Sequence, residues 1–98
     1  MPYGYVVAHV EVTDQNAFEK YSSQVPLVTE RFGGQYLARA GQQASLEGIK
    51  PLGNRTVIIR FHSYQKALEW YHSNEYIELV KLRQAGSNGT LMVVEGVD

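Results

Sequence analysis

The chain has no cysteine, which removes disulfides, a thiolate nucleophile and any thiolate metal site. It has no excess of charge: nine Lys and Arg face ten Asp and Glu, for a formal net charge of −1. Nothing electrostatic therefore points to nucleic acid or an anionic membrane. Its apolar runs are too short to span a bilayer. The opening MPYGYVVAHVEV lacks the basic start and cleavage pattern of a signal peptide, so the cytoplasm is the expected location. A phosphate-binding glycine loop, a dinucleotide fingerprint and a G-x-S-x-G elbow are all missing, so no cofactor is expected. The three histidines, His9, His62 and His72, show no ligand-like spacing, and no metal is expected. Linkers, repeats and low-complexity runs are absent too.

What remains is an ordinary globular composition. Ninety-eight residues, 44% hydrophobic and 19% charged, make one expected domain over residues 1–98. Such a chain buries roughly 60–68% of its unfolded surface. Seven tyrosines and one tryptophan are many for this length; they imply packed aromatics or a ligand cavity.

Tyr3 to Val12 alternates with period two and reads as a strand. Val6, Ala8, Val10 and Val12 form an apolar face; Tyr3, Tyr5, Val7, His9 and Glu11 form a mixed one. Thr13 and Asp14 supply N-cap oxygens. Phe18, Tyr21, Val25, Val28 and Phe32 then mark a helix from about residue 15 to 32. Pro26 predicts a kink or break inside it, and Gly33-Gly34 ends it.

Gln35 to Ala40 is a second strand, with Tyr36, Ala38 and Ala40 on one side and Leu37 and Arg39 on the other. Ala44 to Glu47 is expected to extend it past a bulge, before turn chemistry at Pro51 to Asn54. Arg55 to Phe61, RTVIIRF, is the third strand; the aromatic signature of RNA-binding modules is absent from it. Ser63 caps a helix through His72 that buries Leu68 with Trp70 or Tyr71. Ser73 caps the next helix. Ser87 to Gly89 is expected as a turn, and Thr90 to Gly96 as the last strand.

The order is βαββαβ with a helix pair in the second position. Helices on one face of a four-stranded antiparallel sheet make the α+β, ferredoxin-like arrangement. The other face then collects Tyr5, Val7, His9, Leu37, Arg39 and either Ile58 or the Val57/Ile59 pair. An apolar face of that kind is usually buried by a partner, and a homodimer packed sheet to sheet covers it.

The helix EYIELVKLRQA, Glu75 to Ala85, carries an arginine on its apolar arc. With Tyr76 at zero, Val80 lies at about +40°, Leu79 at about −60° and Arg83 at about −20°. Tyr76 and Arg83 thus point the same way. Together they can form a carboxylate site at the helix–sheet junction, with Arg39 nearby. The structural alternative is an internal ion pair from Arg83 to Glu47 or Glu95, or a snorkelling side chain. His9 and Glu11 sit two apart on one strand, about 6–7 Å from each other. His9 beside that carboxylate can act as a general base, or the two can form an interface or strand-edge pair that merely satisfies polar groups. Trp70 and Tyr71 are adjacent on a helix, so one faces the core and the other is directed elsewhere.

Several stretches together resemble the family called domain of unknown function 1330, within the dimeric α+β-barrel group. They are GYVVAHVEVTD, FGGQYLAR, the LEG at Leu46 to Gly48, and FHSYQKALEWYHSNEYIELVKLRQ. The last is the most specific, with Trp70-Tyr71, Ser73, Tyr76 and Arg83 at fixed spacing. His62 and Arg60 depart from the family pattern, which often has proline and an acid there. The resemblance implies a dimeric α+β barrel and leaves the activity open. Related barrels include cofactor-free monooxygenases and isomerases, which makes an enzyme one alternative and a purely structural dimer another. The leading expectation is a small anionic or aromatic metabolite bound by Arg83, Tyr76, Arg39, Trp70 and Glu47. His9 and Tyr71 are the candidates for proton transfer.

Overall fold

The computed structural model describes residues 2–97. Its elements are β1 (Gly4–Val12), α1 (Gln15–Ser22), α2 (Val25–Arg31), β2 (Gln35–Arg39), β3 (Arg55–Phe61), α3 (Tyr64–His72), α4 (Asn74–Gly86) and β4 (Ser87–Glu95). The sheet order is β2-β3-β1-β4, with every neighbouring pair antiparallel. This is the ferredoxin-like α+β arrangement expected from the order of elements.

The helix expected over 15–32 is two helices. The break falls at Ser23 and Gln24, and Pro26 sits in the first turn of α2, where its missing N–H has no intrahelical partner to lose. Asp14 caps α1 by accepting from the Ala17 N–H at 3.2 Å. Ser73 both ends α3 and starts α4. Its hydroxyl donates to the Trp70 carbonyl at 2.7 Å and accepts from the Tyr76 N–H at 3.2 Å. That one side chain fixes the angle between the helices and holds the Trp70 and Tyr76 rings 4.1 Å apart.

The core lies between the sheet and the helices. Val6, Val25, Val28, Ile59, Phe61, Ala67, Trp70, Tyr76 and Leu79 form its main cluster; Ala8, Val10 and Phe18 form a second. Of the Trp70–Tyr71 pair, Trp70 is the buried member, at 1% exposure. Truncating such a ring to alanine costs about 3–5 kcal/mol. Gly86 lets α1 approach α4: a Cβ there would lie 2.5 Å from the Phe18 nitrogen.

Three expectations are corrected. Leu68 is only partly buried; Ala67 takes the buried place on α3 with Trp70. Ser87 to Gly89 is not a turn, because β4 begins at Ser87 and pairs with Val10 to Val12. The Ser87 hydroxyl donates to the Arg83 carbonyl at 2.6 Å, which satisfies the helix end locally and lets the chain extend at once. Residues 44–47 form no strand extension. The irregularity lies earlier: pairing with β3 slips between Tyr36 and Ala38, leaving Leu37 as the extra residue. Ala40 follows with φ 60°, a left-handed conformation that stops the strand.

The slip reassigns a face. Tyr36 pairs with Ile59 and Arg39 with Val57, so both project to the helix side. Plain alternation had set Arg39 beside His9 on the open face. That open face instead carries Tyr5, Val7, His9, Ala38, Thr56, Ile58, Arg60, Thr90, Met92 and Val94, as the registers require. Ile58 joins it, not the Val57/Ile59 pair. No helix among the described residues is long and apolar enough to cross a membrane.

Candidate functional site

Between the helices and the sheet lies a cavity of about 110 Å³. Its floor is the helix-side face of β1, β3 and β4: Val6, Ala8, Val10, Val57, Ile59 and Leu91. Phe18, Tyr21, Tyr36 and Trp70 supply aromatic walls, and Arg39, Arg55 and Arg83 also line it. No aspartate or glutamate is among the lining residues. The ion pairs among the described residues, Arg31–Glu75, Lys66–Glu69 and Lys81–Glu78, all lie elsewhere.

Each guanidinium has a partner other than an acid. Arg83 donates from Nη1 to the Tyr76 hydroxyl at 2.8 Å. Arg39 donates from Nη2 to the Ser22 carbonyl at 2.7 Å and lies 4.9 Å from the Tyr36 ring centre. Arg55 lies 5.1 Å from the Phe18 ring centre, and its Nε is buried with no hydrogen-bond partner among the described residues. The Trp70 indole N–H is orphaned in the same way. Buried donors are almost always paired, so two orphans on one cavity mark it as unusual.

The Tyr76 hydroxyl also lies 2.8 Å from the Tyr21 hydroxyl. Burial pushes Tyr21 well above the ordinary phenol range, and neighbouring Tyr76 adds to this. Tyr76 is raised as well, burial outweighing the pull of Arg83 in the opposite direction. Both phenols are therefore protonated at neutral pH. Arg83 is held above its ordinary value: burial works against its charge, but the oxygens of Tyr76, Tyr21 and Tyr71 outweigh it.

The expected residues divide. Arg83, Arg39 and Trp70 line the cavity. Tyr76 does not; it is fully buried behind Tyr21 and joins it to Arg83. Glu47 is not in this group: it is exposed, in the connection between β2 and β3, and neither it nor Glu95 pairs with Arg83 among the described residues. Tyr71 packs half-buried against Trp70 and Tyr76, outside the lining. His9 is on the other side of the sheet, with Nδ1 3.2 Å from the Thr56 hydroxyl. The Thr56 proton goes to the Gln43 amide oxygen. His9 therefore donates from Nδ1 and keeps Nε2 as the basic nitrogen. Glu11 makes no recorded bond to it.

Arg55, Tyr21 and Tyr36 were not among the expected site residues. For Arg55 the signal was available: it stands two and four positions before Val57 and Ile59, on their face. Tyr21 was placed on the apolar stripe of its helix, and only the tertiary fold shows what its hydroxyl meets.

A family model described as a domain of unknown function (DUF1330) matches residues 3–97. The chain belongs to the DUF1330 family. No curated protein matches it in sequence. Among solved structures, this DUF1330 chain is similar to RPA0582, a protein of unknown function from Rhodopseudomonas palustris. The identity is 21% and the TM-score 0.78, over 99% of this chain and 84% of that one. It is also similar to a proposed antibiotic biosynthesis monooxygenase from Caulobacter crescentus, with 13% identity and TM-score 0.69, over 99% and 92% of the two chains. A third is SnoaB, a cofactor-independent oxygenase from Streptomyces nogalater, with 12% identity and TM-score 0.64, over 100% and 96%. At these identities the likeness is one of fold. The shared fold is the four-stranded antiparallel sheet with its helices.

Proposed function

We propose that this protein binds a small anionic metabolite with a flat, apolar body in the cavity between sheet and helices. One observation carries the reading. Three arginines line a cavity of apolar and aromatic side chains with no acid in its lining, in a chain whose net charge is −1. Arginine with aromatic walls suits a planar carboxylate or a related oxyanion. A purely structural dimer needs no such cavity and would pair Arg83 with an acid. We further propose that the protein is cytoplasmic and works as a homodimer. Support for the dimer comes from the open face, where Met92 is 58% and Val94 44% exposed, more apolar surface than a solvent-facing sheet usually presents.

A second reading is a cofactor-independent enzyme. What favours it is the hydrogen-bonded run from Arg83 through Tyr76 to Tyr21, which brings a polarised hydroxyl to the cavity. His9 is no part of that chemistry, since the sheet separates it from the cavity.

Thermal unfolding with benzoate, salicylate and neutral benzamide tests the binding reading. At 100-fold over Kd a ligand adds about 2.7 kcal/mol. For a domain of this size that raises Tm by roughly 10–20 °C, at about 4–8 °C per kcal/mol. The carboxylates should stabilise the protein and benzamide should not. Equal behaviour of all three, or no shift with any, counts against an anion site.

A further inference from the structure

The cavity has more than one hydrogen-bond donor, and the direction of each proton can be worked out. A guanidinium has only donors, so the Tyr76 oxygen accepts from Arg83 in their 2.8 Å bond. Tyr76 is 0% exposed, and its hydroxyl has one other recorded neighbour, the Tyr21 hydroxyl at 2.8 Å. The Tyr76 proton therefore goes to Tyr21. Tyr21 then accepts, and its own O–H has no acceptor among the described residues. Of the two tyrosines it is Tyr21 that lines the cavity.

We propose that the Tyr21 hydroxyl is the donor that binds an anionic oxygen of the ligand, with Arg83 acting through Tyr76 as a positioning residue. This rests on the reading of the cavity as an anion site. It deepens that reading by naming the donor and the ligand class: a ring-sized molecule carrying a phenolate, enolate or carboxylate oxygen. A run of bonds that begins at a cation polarises each member, so the last O–H is a stronger donor than a lone phenol. Burial keeps both phenols in the donor form. The cavity approaches ring size: a dry engineered cavity of about 150 Å³ admits benzene, and this one measures about 110 Å³ before any side chain moves. Arg39 and Arg55 add positive potential along the same lining, which favours the ionised form of whatever the hydroxyl contacts.

The probe is 4-nitrophenol, whose phenolate absorbs in the visible and whose neutral form does not. On the native protein, the bound probe should titrate at least one unit below its value in buffer, a tenfold preference for phenolate. Tyr21→Phe should still bind the probe but lose most of that preference. Tyr76→Phe keeps the Tyr21 hydroxyl with Arg83 still near it and removes the O–H that joins them, so it should fall in between. A merely structural Tyr76 would change stability and leave the titration of the bound probe where it was. Should Tyr21→Phe fail to fold, native protein labelled with ¹³Cζ-tyrosine gives the answer. The Tyr21 resonance should then move on adding nitrophenolate by more than that of Tyr71, which lies outside the lining. Identical titration in native and Tyr21→Phe proteins, or a stationary Tyr21 resonance with the probe bound, overturns the assignment and leaves the anion site standing. If neither nitrophenolate nor benzoate binds the native protein, the anion site falls and the assignment with it.

Discussion

Tyr21 and Tyr76 stand 55 positions apart in the chain and meet hydroxyl to hydroxyl at 2.8 Å. One lies on the first helix and the other on the last, so their bond closes the helical layer over the cavity. Tyr76 serves two partners, since Arg83 donates to the same oxygen, and the two tyrosines are accordingly unequal. Tyr76→Phe strands both the Arg83 donor and Tyr21, and should cost about 1–3 kcal/mol in urea unfolding. Tyr21→Phe leaves the Arg83–Tyr76 bond intact and should cost less. The double variant should be less destabilised than the sum of the two, because the residues share one network.

Arg83 should behave in the opposite sense. Its guanidinium is half-buried and has no acid beside it among the described residues. An apolar chain of similar length relieves the cost of burying a charge that no acid offsets. Arg83→Met should therefore leave Tm of the free protein unchanged or slightly higher, while abolishing the stabilisation by benzoate. A large loss of Tm in the free variant would show that the arginine holds the fold rather than a ligand.

The two phenols make a statement about alkaline pH. Both are raised above the ordinary 10.0, with burial the first cause. In the unfolded chain they lose their protons near pH 10, and in the folded chain they keep them longer. The unfolded state then binds fewer protons, so stability falls as pH rises, by up to about 1.4 kcal/mol per pH unit for each group. The contribution is fully present below pH 10 and is lost as pH climbs through the raised values. Unfolding followed between pH 9 and 11 should show a shallower loss in Tyr21→Phe than in the native protein.

Gly86 is where α1 and α4 touch. A methyl group there would meet the Phe18 nitrogen at 2.5 Å and the Asp14 carbonyl at 2.8 Å, both main-chain atoms that cannot step aside alone. Gly86→Ala should destabilise by roughly 1–3 kcal/mol. By moving α1 it should also disturb the Tyr21–Tyr76 bond, seen as easier ionisation of buried tyrosine in ultraviolet titration.

Across the open face, Ile58, Val7 and Met92 form one row over three strands. If two copies pack there, Val7→Arg should leave a folded protomer at micromolar concentration, where the native protein scatters light as a dimer. Equal mass for both proteins, whether one chain or two, would argue against this face as the contact.

Much of the architecture was readable from pattern alone. Alternation in Val6, Ala8 and Val10 located the central strand, and the spacing of Tyr76, Leu79, Val80 and Arg83 located the buried side of the last helix. Pro26 marked a break that does occur. What alternation could not show was the slip at Leu37, because a bulge depends on pairing with β3 and leaves no fixed trace in β2 itself. Arg39 was consequently assigned to the wrong face. Glu47 was offered as an acid for Arg83 on charge alone, and no local signal says where a residue in a 15-residue connection comes to lie. The partnership of Tyr21 with Tyr76 was hidden for a related reason: helical periodicity identifies a buried side but not the neighbour across it.

The extra residue at Leu37 gives β2 two possible addresses for one side chain. A strand of identical composition that ran without the slip would deliver the same guanidinium to the opposite surface, next to Thr56 and His9. How many positive charges reach the cavity is thus decided by hydrogen-bond registration as much as by which amino acids are encoded. A designer wishing to retune the cavity could do so by moving a kink, with every codon for arginine left in place.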